Sequence, residues 1–68
     1  MIDKYIKLCD KLDKLKDDNE FGHILQDKIY RKFIRDITNE KIKGNEILKI
    51  ADLIKKRVIK YDKKRWYA

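Results

Sequence analysis

The sequence predicts an all-α fold, most simply a three-helix bundle. Three stretches repeat apolar residues every three or four positions, as one face of an α-helix requires. Two segments that contain Asn and Gly, at residues 16–22 and 38–46, separate these stretches, and the first also contains two Asp residues. The β-branched residues stand at helical rather than alternating positions, and hairpin turn signals are absent. We therefore expect one helical domain over residues 1–68, either a monomeric bundle or an oligomer of helical protomers.

The first helix is expected over about residues 2–17. Its apolar positions form one stripe, which Ile2 and Ile6 join. The residues of this stripe are Tyr5, Leu8, Cys9, Leu12 and Leu15. The break that follows contains Asp18 and Asn19, either of which can cap the next helix, because a short polar side chain accepts hydrogen bonds from its first N–H groups.

The second helix is expected over residues 20–38. An apolar residue recurs there at every fourth position, and Tyr30 and Ile34 widen the stripe. The residues at the fourth positions are Leu25, Ile29, Phe33 and Ile37. The second break contains Gly44, and Asn45 is the expected N-cap of the third helix.

The third helix is expected over residues 46–65 and presents two apolar faces. The main face is expected to pack on the core, and it comprises Ile47, Ile50, Ala51, Ile54, Val58 and Tyr61. If the helix continues, Leu48, Ile59 and Trp66 form a second stripe. A bundle needs only one such face on each helix, so the second predicts self-association or a protein partner anchored by Trp66. Alternatively, the last turn frays and Trp66 packs across the end of the bundle.

Size also favours self-association, because a chain of 68 residues buries a small core. The single cysteine, Cys9, excludes a disulfide within the chain. Cys9 and His23 supply only two of the four soft ligands that zinc usually takes. We therefore expect no metal, no cofactor and a homo-oligomer stabilised by helix packing.

The formal net charge of +7 lies mostly in the second half of the chain. Residues 1–20 carry five basic and six acidic side chains, whereas residues 46–68 carry eight basic and three acidic side chains. This asymmetry predicts an anionic partner. No apolar run approaches the roughly 20 residues of a membrane span, and charges interrupt the N-terminal segment where a signal peptide would be apolar. We expect a cytoplasmic protein with no membrane partner.

Enzymatic activity is not expected. The chain has no serine, so a Ser-His-Asp triad is excluded, and its two glycines lie too far apart for a phosphate-binding loop. Cys9 falls within the first apolar stripe, where a cysteine acts as a small hydrophobe. A reactive Cys9 is the alternative, and it predicts an activity that Cys9→Ala abolishes.

The segment HILQDKIYR places polar residues along one strip of the second helix, beside its apolar face. The strip comprises His23, Gln26, Asp27, Tyr30 and Arg31. Buried polar groups need partners, so one interpretation is a hydrogen-bond network between helices. The other is a polar pocket in which the Arg31 guanidinium binds a phosphate or carboxylate.

Basic residues gather on the solvent faces of the second and third helices, away from the apolar stripes. The second helix contributes Lys28, Arg31, Lys32 and Arg35, and the third contributes Lys49, Lys56, Lys60 and Lys63, with Arg57 and Lys64 at the margin. In helical phase Tyr67 falls among the lysines of the third helix. The two faces predict a groove for an anion. Ordinary solvation, with basic residues favoured by the helix dipole, is the alternative.

The segments HILQDKIYRKFIRDI and YDKKRWYA resemble small uncharacterised proteins encoded by bacteriophages. The resemblance implies a host-interaction or counter-defence protein that acts in the host cytoplasm. It also implicates the residues of the polar strip together with Arg65, Trp66 and Tyr67.

We therefore predict a non-enzymatic protein that binds nucleic acid or a nucleotide. Lysines, including Lys56, Lys60 and Lys63, would attract the anion, and Arg31 and Arg65 would donate directed hydrogen bonds. Tyr67 or Trp66 would stack on a base. The alternative is an inhibitor or adaptor that docks on an acidic host protein through Trp66 and the second stripe of the third helix.

Overall fold

The computed structural model describes residues 1–15 and 17–61, with the side chain of Asn19 excepted. This part of the chain folds into three α-helices and a short 3₁₀ helix, and it contains no strand. The elements are α1 (Ile2–Lys14), α2 (Asn19–Thr38), α3 (Asn45–Arg57) and the 3₁₀ helix Ile59–Tyr61. The all-α three-helix bundle predicted from the sequence is confirmed.

The turn between α1 and α2 begins earlier than predicted. The structure ends α1 at Lys14 rather than at residue 17, because the Leu15 carbonyl accepts a 2.9 Å hydrogen bond from the Asp18 N–H across the turn. Asp18 then caps α2, since its Oδ1 accepts a 3.1 Å hydrogen bond from the Phe21 N–H. Of the two predicted caps, Asp18 and Asn19, the structure uses Asp18.

The end of α2 at Thr38 agrees with the prediction, although no glycine terminates the helix. Glu40 adopts a left-handed backbone conformation with φ of 58°. Its N–H donates to the Ile37 carbonyl at 3.1 Å, and the Lys41 N–H donates to the Asp36 carbonyl at 2.8 Å. This pair of bonds is the Schellman arrangement, which usually has glycine at the left-handed position.

The prediction that Asn45 caps α3 is wrong. Asn45 is already the first helical residue, and Gly44 occupies the cap position with φ of 54° and ψ of −127°. Only glycine adopts this backbone conformation readily. Gly44 therefore turns the chain into α3, and no side-chain hydrogen bond caps the helix.

The α-helical part of α3 ends at Arg57, and the predicted continuation through residues 58–61 is wrong. The Val58 carbonyl accepts hydrogen bonds from the Tyr61 N–H and from the Gln26 Nε2, each at 3.1 Å. The bond to Tyr61 spans three residues, so the chain tightens into a 3₁₀ turn there. The predicted end at residue 65 lies outside the described residues.

The core lies where α1 packs against both α2 and α3, which contact each other less. Its buried apolar residues are Tyr5, Cys9, Leu12, Leu25, Ile29, Ile42, Ile50, Ile54, Val58 and Tyr61. Sequence periodicity predicted all of these except Ile42, which lies in the turn before α3. The same periodicity placed Ile34 in the apolar stripe of α2, but 62% of its surface is exposed.

Within residues 1–15 and 17–61, none of the helices has the length and apolar content needed to cross a membrane.

Candidate anion-binding site

Two networks of charged and aromatic side chains hold the helices that carry the candidate site. In the first, Arg57 Nη2 donates hydrogen bonds to Asp10 Oδ1 at 2.9 Å and to Asp13 Oδ2 at 2.5 Å. The hydroxyl of Tyr61 donates to the other oxygen of Asp13. This network joins the end of α3 and the 3₁₀ helix to α1. Arg57 therefore serves packing instead of the predicted basic face.

The same contacts shift the protonation equilibria of the first network. Hydrogen bonds from Tyr61 and then Arg57 outweigh burial and lower the pKa of Asp13. The pKa of Arg57 is raised, chiefly by its hydrogen bonds to Asp13 and Asp10. Both side chains are therefore charged at neutral pH.

The second network joins α1 to α2 around a buried carboxylate. Asp36 is only 3% exposed, and its Oδ2 accepts hydrogen bonds from the Tyr5 hydroxyl at 2.5 Å and from Lys32 Nζ at 3.1 Å. Burial raises the pKa of Asp36, but the bonds from Tyr5 and Lys32 outweigh that effect and the pKa is lowered. Burial, followed by the hydrogen bond to Asp36, raises the pKa of Tyr5. Lys32 is thereby withdrawn from the predicted basic face of α2.

The structure divides the predicted polar strip of α2 between the core and the solvent. Gln26 is fully buried and donates to the Val58 carbonyl, as the interpretation of an interhelical network predicted. His23 and Asp27 are half-buried neighbours, with 3.6 Å between Nε2 and Oδ2. Tyr30 packs against the core, and Arg31 is exposed. The five residues therefore differ in exposure, and a shared pocket for a phosphate or carboxylate stays a prediction.

Three cations on the solvent face of α2 form what we call the cationic row, namely Lys28, Arg31 and Arg35. All three side chains are exposed, and their three/four spacing places them along one side of the helix. The row spans about 10 Å of helix axis at the usual rise per residue. Within the described ranges, no carboxylate lies within ion-pair distance of any of the three.

The predicted basic face of α3 is partly occupied by contacts within the chain. Lys56 Nζ lies 3.0 Å from Asp52 Oδ2, and Lys60 Nζ lies 5.1 Å from the centre of the Tyr61 ring. α2 and α3 contact each other less than either contacts α1. A single groove lined by both basic faces therefore stays a prediction.

The predicted second apolar stripe of α3 loses its helical phase at Val58. Leu48 and Ile59 are exposed, at 68% and 45% of their surfaces, but the 3₁₀ turn lies between α3 and the segment that would bring Trp66 into line. Four further predicted site residues lie outside the described part of the chain, and these are Lys63, Arg65, Trp66 and Tyr67. Their roles and the expected homo-oligomer stay predictions.

Cys9 lies in the core, as its position in the first stripe predicted. The side chain has no exposed surface, and burial raises the pKa of its thiol. A buried thiol of high pKa is a poor nucleophile at neutral pH. Within residues 1–15 and 17–61, no three His, Cys, Asp or Glu side chains form a cluster suited to a metal ion.

Comparisons with protein-family models, curated proteins and solved structures give no match. The resemblance to phage proteins accordingly stays a prediction. Sequence reasoning overlooked two exposed apolar residues of α2, Phe21 and Ile24. Their signal was present in the sequence, since both fall near the helical phase of the cationic row.

Proposed function

We propose that this protein binds nucleic acid through the phosphate backbone, with the cationic row of α2 as the contact surface. The observation that carries the proposal is that Lys28, Arg31 and Arg35 are exposed, aligned and not ion-paired within the described residues. Phosphate contacts require positive donors on an accessible surface and no sequence motif. The net charge of +7 adds long-range attraction to the same kind of ligand.

The dimensions of the cationic row suit a nucleic-acid strand. The three cations of the row offer up to three phosphate contacts over about 10 Å, and the charges of one duplex strand repeat every 3.4 Å or so along the duplex axis. Two of the three cations are arginines, whose planar guanidinium groups can donate two parallel hydrogen bonds to one phosphate. A backbone-directed contact of this kind predicts little dependence on base sequence.

The proposal is tested by measuring the affinity for single-stranded DNA, duplex DNA, RNA and mononucleotides across a salt series. Three phosphate contacts predict that the logarithm of the association constant falls with log salt with a slope of about −2 to −3. Replacing Lys28, Arg31 or Arg35 by Ala should reduce the magnitude of that slope by about one. The mononucleotides should bind more weakly, because they offer fewer phosphates along the row.

Lys56→Ala is the matched control, because it removes the same charge from the ion pair with Asp52 on α3. We expect it to change the slope less than Lys28→Ala does. Equal losses in the two variants would show that net charge, and not the cationic row, governs binding. No binding to any nucleic acid at low salt would overturn the proposal itself.

A further inference from the structure

A small apolar groove lies between the end of α1 and the first half of α2. Its floor is apolar, and a lysine from each helix lies at its rim. The lining residues are Lys11, Leu15, Phe21, Ile24, Leu25 and Lys28, and the groove has a volume of about 130 Å³. Phe21 and Ile24 are 59% and 44% exposed and lie one helical turn apart, so together they form a small exposed apolar patch.

The size of the groove limits what it can hold. Pockets for drug-sized ligands usually have volumes of about 300–1,000 Å³, well above the volume here. A space of this size instead suits one bulky apolar side chain that anchors a larger partner. Anchors of this kind, surrounded by polar contacts, are typical of helices that bind in shallow grooves on protein surfaces.

The charges at the rim indicate what surrounds that anchor. Neither Lys11 nor Lys28 has a carboxylate within ion-pair distance in the part of the chain that the structure describes. The two lysines come from different helices and line the same groove. A complementary ligand therefore carries carboxylates close to its apolar anchor.

We infer that the groove binds an acidic amphipathic segment of a partner protein, with one large apolar side chain inserted against Phe21 and Ile24. Carboxylates of that segment pair with Lys11 and Lys28. The site goes beyond the proposed nucleic-acid contact and shares only Lys28 with it. Phe21→Ser, which leaves the charge unchanged, therefore affects the groove alone, and variants at Arg31 and Arg35 affect the cationic row and not the groove.

The test uses a short synthetic helical peptide that has leucines along one face and glutamates beside them. Its affinity for the full chain is measured by fluorescence anisotropy. We expect Phe21→Ser to weaken peptide binding by about tenfold or more, as loss of a central anchor does. Lys11→Glu should also weaken binding, because it places a negative charge at the rim. Both variants should retain nucleic-acid binding if the proposed function is correct.

Two peptides and two protein variants serve as controls. A peptide with alanines in place of the leucines, and one with glutamines in place of the glutamates, should each bind less tightly. Leu48→Ser removes an equally exposed apolar residue from α3 and should leave peptide binding unchanged, as should Arg35→Ala. Circular dichroism melts of Phe21→Ser, in which an exposed residue is changed, should match those of the unaltered protein.

Several results would overturn the inference. Failure of the unaltered chain to bind the peptide would rule the groove out, and so would binding by Phe21→Ser as tight as that of the unaltered chain. Loss of peptide binding in Leu48→Ser would place the partner on α3. A native mass of a dimer that Phe21→Ser converts to a monomer would assign the groove to a second copy of this chain. Weaker nucleic-acid binding in Arg35→Ala, with peptide binding unchanged, would support two separate sites.

Discussion

The buried polar side chains each have a defined structural contact. The Gln26 side chain on α2 is completely buried, and its amide donates a hydrogen bond to the Val58 carbonyl at the end of α3. Asp36 is almost as buried and receives hydrogen bonds from Tyr5 and Lys32. Because an unsatisfied polar group in the core is costly, these contacts specify how α1, α2 and α3 fit together.

Gln26→Met should destabilise the protein by about 1 kcal/mol, because it removes the hydrogen bond but keeps most of the side-chain volume. Gln26→Ala should cost roughly 2 kcal/mol or more, because it also leaves a cavity. Urea unfolding monitored by circular dichroism measures both changes. If Gln26 instead binds a ligand, Gln26→Met would weaken nucleic-acid binding and leave the stability unchanged.

The ends of a helix depend on the backbone conformations of individual residues, which helix propensities predict poorly. The N-terminus of α2 follows the expected pattern, with Asp18 as the cap. At the other end, Glu40 adopts a left-handed backbone conformation that is usually found at glycine. Gly44 is used where Asn45 was expected to cap α3.

Glu40→Gly should stabilise the protein. A left-handed conformation costs a residue with a side chain about 1–2 kcal/mol, and the greater freedom of glycine in the unfolded chain returns about 0.5–1 kcal/mol. The expected net gain is about 0.5–1 kcal/mol, measured as a rise in Tm of several degrees. Asn39→Gly is the control, because Asn39 has an ordinary φ of −88° and should gain nothing. A lower Tm for Glu40→Gly would contradict the prediction.

For the whole molecule, two aspartates link stability to pH. The pKa values of Asp13 and Asp36 are lowered in the folded protein, so the unfolded chain binds protons first as pH falls. The stabilisation from both groups is complete above the ordinary pKa of Asp, about 3.9, and is lost as pH falls through the folded-state values.

Thermal melts between about pH 6 and pH 2 should therefore show Tm falling mainly below about pH 4–5. Asp13→Asn and Asp36→Asn should each lower Tm at neutral pH and flatten its decline in acid. Asp52→Asn serves as the control, because Asp52 pairs with Lys56 on the surface, where ion pairs contribute little. A decline as steep in Asp13→Asn and Asp36→Asn as in the unaltered chain would contradict the assignment.

How far the sequence predicted this protein depends on the range of the interactions involved. Periodicity located the three helices and most core residues, including Cys9 and Ile50, because a helix repeats its face every few residues. It missed Ile42, whose burial depends on how the turn folds back over the core. It also assigned Ile34 to the apolar face, although that residue lies at the edge of the face and is exposed.

For the candidate site, the sequence by itself determined the net charge, the side of α2 on which its cations lie, and the apolar stripe of each helix. These features follow from the order of residues within one helix and from helical geometry. Only the tertiary structure decided which cations remain unpaired. Arg57 and Asp13 are 44 residues apart in the chain but in contact in the fold, whereas Arg31 and Arg35 have no such partner among the described residues. The contact between Gln26 and Val58, at the end of α3, is also long-range and joins residues 32 apart in the chain. Such pairings depend on how the helices pack, and the spacing of residues within one helix carries no information about them.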